Sequence, residues 1–156
     1  MDKNNSFIAF LQSCPVIRSN PLFFNFGNVE NDAHQVNVSF DDTALQKPYV
    51  DGSVLKRYTV YIDSFKSITT NPVISGYSAE NVEDLYEVQQ LLDWIIEQAD
   101  NNNYPDFGSN CIIDGMTSLT AKPNLLGVDD SLNPPMAIYR ITIQIDYIDN
   151  SKRLWS

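Results

Sequence analysis

The sequence predicts an α+β domain: a mostly antiparallel, twisted sheet with one long and one short helix packed on one face, plus a long β-hairpin. Three observations predict it. In AIYRITIQIDYID, residues Ala137, Tyr139, Ile141, Ile143, Ile145 and Tyr147 fall on one side, and Ile138, Arg140, Thr142, Gln144, Asp146 and Ile148 on the other. Strand side chains alternate, so this is a long strand with one dry and one mostly polar face. At roughly 3.3 Å per residue it spans about 40 Å, against a radius of gyration of about 15 Å for a domain of this size. The second observation is KPYVDGSVLKRYTVYIDSF, which reads as a hairpin. The third is SAENVEDLYEVQQLLDWIIEQAD, whose apolar residues recur at spacings of three and four.

The elements follow in order. SFIAFLQSC starts with Ser6 as an N-cap and carries Phe7, Ile8, Phe10 and Leu11, a short amphipathic helix that ends before Pro15. PLFFNFG is an apolar strand stopped by Gly27, and QVNVSF alternates Val36, Val38 and Phe40 against Gln35, Asn37 and Ser39. Asp51-Gly52 supplies the positive φ values of a tight two-residue turn. The outgoing arm sets Val54, Tyr58, Val60 and Ile62, interrupted by Lys56, against Leu55, Arg57, Thr59, Tyr61 and Asp63. The incoming arm is short, so part of the long arm must pair elsewhere, and the carboxy-terminal strand is the expected neighbour. SITTNPVISGYS is a polar loop.

The long helix follows, with Ser78 as its cap and Glu80, Glu83 and Asp84 near the positive end of its dipole. Val82, Leu85, Tyr86, Leu92, Ile96 and Ala99 form its predicted apolar stripe, widened by Val88, Leu91 and Ile95. CIIDGMTSL is a strand, or a small hairpin around Asp114-Gly115; KPNLLGVDDSLNPP reads as a loop. A chain of 156 residues with neither repeat nor linker is expected to be a single domain over 1–156.

Composition narrows the function. With 43% hydrophobic and 12% aromatic residues the chain is no disordered tail. A formal net charge of -10 argues against a general nucleic-acid binder, which needs a basic stripe. No apolar run approaches the roughly 18 residues of a membrane span. The start MDKNNSF has no apolar core of a signal peptide, so an intracellular start is expected, and Cys14 and Cys111 are read as reduced thiols.

Catalytic patterns are missing. His34 is the lone histidine; it is read as a surface-loop residue, and no G-x-S-x-G elbow presents a serine to it. Cys14, His34 and Cys111 lack the paired spacing of a zinc site. A calcium loop from Asp100 would need Gly at its sixth and Glu at its twelfth position, where Pro105 and Cys111 stand. Asp129-Asp130 read as turn formers. The expectation is a protein with no catalytic residues, no metal and no cofactor.

One layout of segments carries a resemblance. It consists of the opening helix running into SCP, KRYTVYIDS after an Asp-Gly turn, VEDLYEVQQLLDWIIEQ leading into YPDFG, and the closing AIYRITIQIDYID. This order, over about residues 6 to 149, is similar to the tail terminator proteins of long-tailed bacteriophages. The resemblance implies a structural virion protein that assembles as a hexameric ring. Such a ring caps the tail tube, stops its polymerisation and offers a surface to neck or head-completion proteins. DNA would pass through it without specific binding, with no membrane involved. The place would be the neck end of the virion tail, after assembly in the host cytoplasm. The alternatives are a head-completion or tail tube protein, or a small binding module or enzyme.

Seven residues are candidate subunit or tube contacts: Asp51 and Gly52 at the hairpin tip, Lys56 and Arg57 beside it, Trp94, Arg140 and Trp155. The tip either merely turns or reaches beyond the domain. The three basic residues are either solvated or paired with acids across a subunit boundary. Trp94 either folds onto an adjacent loop or meets a neighbour.

Overall fold

The computed structural model describes residues 3–18, 20–24, 32–38, 46–67, 79–129, 131, 135–152 and 154. Along the chain its elements are α1 (Lys3–Leu11), α2 (Pro15–Arg18), β1 (Leu22–Phe24), β2 (His34–Val38), β3 (Gln46–Pro48), β4 (Val54–Ser67), α3 (Ala79–Asp100), β5 (Cys111–Ser118), β6 (Asn124–Asp129) and β7 (Met136–Asp149). Expectations for Gly27, Phe40, Ser78, Asp130, Trp155 and the SITTNPVISGYS loop up to Ser78 lie outside the described residues.

The sheet is built on β4 and β7. They pair antiparallel over their full 14-residue lengths, from Val54 opposite Asp149 to Ser67 opposite Met136. The expected partnership of the long arm with the carboxy-terminal strand is therefore what forms. The strand order is β1-β2-β4-β7-β5, with β3 also on β4 and β6 also on β7. The sheet is mostly antiparallel; β1 runs parallel to β2.

Strict alternation gives the sheet two unlike faces. Tyr58, Val60 and Ile62 of β4 and Ile141, Ile143, Ile145 and Tyr147 of β7 are buried in one cluster with Phe7 and Leu11 of α1 and Val88, Leu91, Leu92 and Ile95 of α3. Fully burying each such aliphatic side chain contributes about 1.5–3 kcal/mol before entropy is charged against it. An aromatic chain ties α1 in: Phe7 lies 6.0 Å from Tyr58, Tyr58 stands edge-on to Phe107 at 5.3 Å, and Phe107 edge-on to Tyr147 at 5.4 Å. The Tyr58 hydroxyl donates to Asn4 Oδ1 at 2.7 Å.

Local chemistry sets the element ends. Asn102 has φ +55°, Asn102 N–H donates to Ala99 O (3.1 Å) and Asn103 N–H to Gln98 O (2.8 Å). This paired pattern with a left-handed residue closes α3, and asparagine tolerates that conformation. Three Asp-x-Ser triplets make turns: the carboxylates of Asp51, Asp129 and Asp149 accept from the amides of Ser53, Ser131 and Ser151.

Several elements differ from expectation. The first helix starts at Lys3, so Ser6 is a buried interior residue rather than its cap. The α3 stripe is centred on Val88, Leu91, Leu92 and Ile95, while Leu85, Tyr86 and Ile96 are exposed. The stretch around Asp114-Gly115 is one strand with a register shift between Ile113 and Gly115. The loop assigned to KPNLLGVDDSLNPP contains β6, which pairs with β7 through another shift between Leu125 and Gly127.

The hairpin also differs. Its incoming arm is only β3, and β7 accompanies β4 to Val54, so the paired sheet reaches the base of the turn. Gly52 N–H donates to Tyr49 O (3.1 Å) and Tyr49 N–H to Ser53 O (2.8 Å), a three-residue loop in which Gly52 alone has positive φ, +88°. Leu154 N–H donates to Asp51 O at 2.6 Å, strapping the tail over the turn.

A Cβ on Gly52 would overlap the Lys152 carbonyl oxygen and approach Leu154 Cγ at 3.2 Å. Gly52→Ala is therefore expected to lower stability by about 1–3 kcal/mol in urea unfolding, through left-handed strain and loss of the strap. Gly115→Ala, which meets no atom within 4 Å, is expected to change it by less than about 1 kcal/mol.

Candidate functional site

The second face of the β4–β7 pair carries Arg57, Thr59, Tyr61 and Asp63 opposite Asp146, Gln144, Thr142 and Arg140. Both arginines sit directly across from a carboxylate, and both pairs are two-pronged. Arg57 Nε and Nη2 donate to Asp146 Oδ1 and Oδ2 at 2.9 and 3.3 Å. Arg140 Nε and Nη2 donate to Asp63 Oδ1 and Oδ2 at 2.8 and 3.1 Å. Arg140 also lies over the Tyr61 ring at 4.7 Å, and Asn37 Nδ2 donates to Asp63 Oδ2 at 3.0 Å.

The two pairs are not worth the same. Asp63 is buried, so removing Arg140 would strand a desolvated carboxylate, at a cost of roughly 3–5 kcal/mol. Arg57 and Asp146 keep about a third and a quarter of their side chains in water, and such a pair is worth about 1 kcal/mol or less.

Lys56 points to the opposite face, where its Nζ donates to Asp149 Oδ2 at 2.9 Å. The Ser151 amide, with Lys56 added, holds the Asp149 carboxyl down at about 2. Lys56, Arg57 and Arg140 are thus each paired with an acid of their own chain while keeping nearly a third of the side chain exposed. The acids that hold them, Asp63, Asp146 and Asp149, were not singled out in the sequence.

Trp94 is half-buried and packs against Phe10 of α1, ring centres 5.0 Å apart. It rests on a helix of its own chain rather than on an adjacent loop. The hairpin tip borders an open hollow of about 570 Å³ lined by Tyr49, Val50, Asp51, Ser53, Ile112, Ile148 and Asn150. Tip and hollow lie at one end of the sheet, whereas Trp94 belongs to α3; the structure does not gather the candidate residues into one site.

Sequence reasoning missed a polar cluster. His34 was expected on a surface loop but lies on β2 with no exposed surface. Its Nδ1 is hydrogen-bonded to Ser64 Oγ at 2.7 Å, and its Nε2 has no partner among the described residues. Lys66, with 0% side-chain exposure, donates to Asp32 Oδ1 at 2.6 Å and to Glu87 of α3. Burial pushes the Lys66 ammonium toward neutrality, but the hydrogen bonds to Asp32 and Glu87 outweigh it and leave its pKa above the ordinary value. Burial first, then the Lys66 charge, lower the His34 pKa to about 4, with Asp32 opposing.

The histidine, serine and lysine resemble hydrolytic machinery in residue type only. Ser64 has no exposed surface, so no substrate can reach its hydroxyl without opening the fold. Among the described residues no group of His, Cys, Asp or Glu is arranged to hold a metal ion. Cys14 and Cys111 are free thiols, and burial raises the Cys14 pKa, which makes it a poor nucleophile. No helix among the described residues is long and apolar enough to cross a membrane. No protein-family model and no curated protein matches the chain.

The buried imidazole has a measurable consequence. Its folded pKa of about 4 lies below the ordinary 6.5, so its contribution is fully present above pH 6.5 and is lost as pH falls toward 4. His34 is the only histidine. Unfolding stability is expected to drop by about 2 kcal/mol between pH 7 and pH 5. Urea midpoints at the two pH values check this. A flat profile, or a His34→Gln variant with the same slope, would contradict it.

Proposed function

We propose that the chain is a structural assembly protein of a phage particle, a tail terminator whose copies close into a hexameric ring on the end of the tail tube. One observation carries the reading. A polar, partly exposed stretch, Arg57 to Asp63 opposite Arg140 to Asp146, occupies the middle of one face of the 14-residue strand pair with its charges already matched to each other, while Phe65, Met136 and Ile138 end that face in a second apolar cluster. A face of this kind needs no helix over it and suits a neighbouring subunit or a water-filled channel. In this reading the long and short helices share the opposite face, and Asp51, Gly52, Trp94 and Trp155 remain candidate contacts.

The ordered likeness of the segments to tail terminators supports the same function. So does the acidic balance of -10, because negative walls do not retain passing phosphate. The inward-turned chemistry around His34 supports a role without catalysis. The ring would halt tube polymerisation by covering its last layer and would offer its other side to neck or head-completion proteins. Assembly would take place in the host cytoplasm.

Native mass spectrometry and negative-stain electron microscopy of the purified chain, alone and mixed with tail tubes of its own phage, test this. Six-membered rings, free or seated on tube ends, are the expected result. A chain that stays monomeric in both preparations, with tubes uncapped and still lengthening, would overturn the proposal.

A further inference from the structure

Two surface regions outside the paired charges are chemically complementary. The first is the outer side of α3. That helix carries Glu80, Glu83, Asp84, Glu87, Asp93, Glu97 and Asp100 and no Lys or Arg. Tyr86, Gln90, Asp93 and Glu97 recur at intervals of four, three and four, on the side away from Leu91 and Ile95, and all four are exposed. Tyr86 is 64% exposed, and Leu85 and Ile96 widen the stripe with more exposed apolar surface. This is an apolar ridge set in negative charge.

The second region is the hollow at the hairpin end of the sheet. Tyr49, Ile112 and Ile148 line it, Ile112 at 55% exposure, and Val50 stands on its rim at 90%. The sheet register places Lys47 beside Leu55 and Ile148 beside the same Leu55, so Lys47 shares the face onto which the hollow opens. Lys152 lies at the turn, where its carbonyl oxygen abuts Gly52. Both lysines are exposed, and neither has an ion-pair partner among the described residues. Here a mostly apolar concavity has two lysines near it, and the Asp51 carboxylate in its lining is turned to Ser53.

We propose that copies of this chain meet head to tail, the outer ridge of α3 on one copy seating in the hairpin-end hollow of the next. The inference rests on the ring reading and names its subunit contact. Tyr86 would fill the hollow, with Asp93 and Glu97, about two and about three turns further along the same side, facing Lys47 and Lys152. An aromatic centre with charge at the rim is the usual composition of a subunit contact. The partner is a second copy because the two patches are unlike and lie on different parts of one molecule. A two-fold pairing of α3 with itself would set acid against acid, whereas a heterologous contact closes into a ring when its rotation permits.

Two charge-reversed variants test the contact: Lys47→Glu with Lys152→Glu, and Asp93→Lys with Glu97→Lys. All four side chains are exposed, and circular dichroism checks that both variants fold. In sedimentation velocity, each variant alone is expected to need at least ten times the wild-type concentration to assemble. A one-to-one mixture should recover assembly, because each reversed patch then finds its complement on the other chain. Assembly unchanged in either variant overturns this contact and leaves the ring standing. Loss in both with no recovery on mixing overturns the head-to-tail pairing. A wild-type chain that never assembles, even on tubes, overturns the ring and this contact together.

Discussion

The antiparallel ladder between β4 and β7 is the constraint on which the rest of the molecule depends. Because strand side chains alternate, one register decision places fourteen residues of each strand on their faces at once. A slip of one residue in β7 would turn Ile141, Ile143 and Ile145 outward and bring Arg140 into the core. A slip of two would keep the faces but break both ion pairs, setting Arg57 and Asp63 opposite uncharged residues. The charges on the open face therefore select the register that the buried face requires. They do so at low cost, since each arginine keeps nearly a third of its side chain in water.

The polar cluster under the helix plays a different part. Lys66 continues the inward face of β4 past the apolar core, and its buried ammonium reaches one carboxylate just before β2 and another on α3. A buried cation is tolerable only when so paired. The arrangement fixes α3 against the sheet at one place, beyond what apolar contacts alone would specify. His34 and Ser64 fill the neighbouring space with one hydrogen bond between them. Chemistry that looks reactive in a list of residue types is here part of the packing.

Much of this was legible in the sequence, for physical reasons that differ by element. The two long strands could be read because their period of two is strict over more than ten residues. The helix could be read, but its face was misplaced: Leu85, Tyr86 and Ile96 are apolar without being inward, and among the described residues its buried ones are Val88, Leu91, Leu92 and Ile95. Strand β6 was hidden because its Gly127 and the Asp- and Pro-rich residues around it read as loop, while its pairing depends on a bulge. His34 was misjudged because Ser64 and Lys66, which bury it, lie about thirty residues away. The ion pairs did leave a signal. The six-residue interval from Arg57 to Asp63 repeats, with charges in the same order, from Arg140 to Asp146. Antiparallel pairing of two such strands brings unlike charges together at both ends.

The central claim is that one face of this sheet is buried core and that, in the proposed ring, sister chains meet through surfaces elsewhere on the molecule that the lone chain leaves exposed. Hydroxyl-radical footprinting of the dilute and the assembled protein reads the core and the proposed contact surfaces together. Tyr58 should stay unlabelled throughout, and Tyr49 and Tyr86 should be labelled when dilute and protected on assembly. Equal labelling of Tyr49 and Tyr86 in both states, or ready labelling of Tyr58, would contradict it.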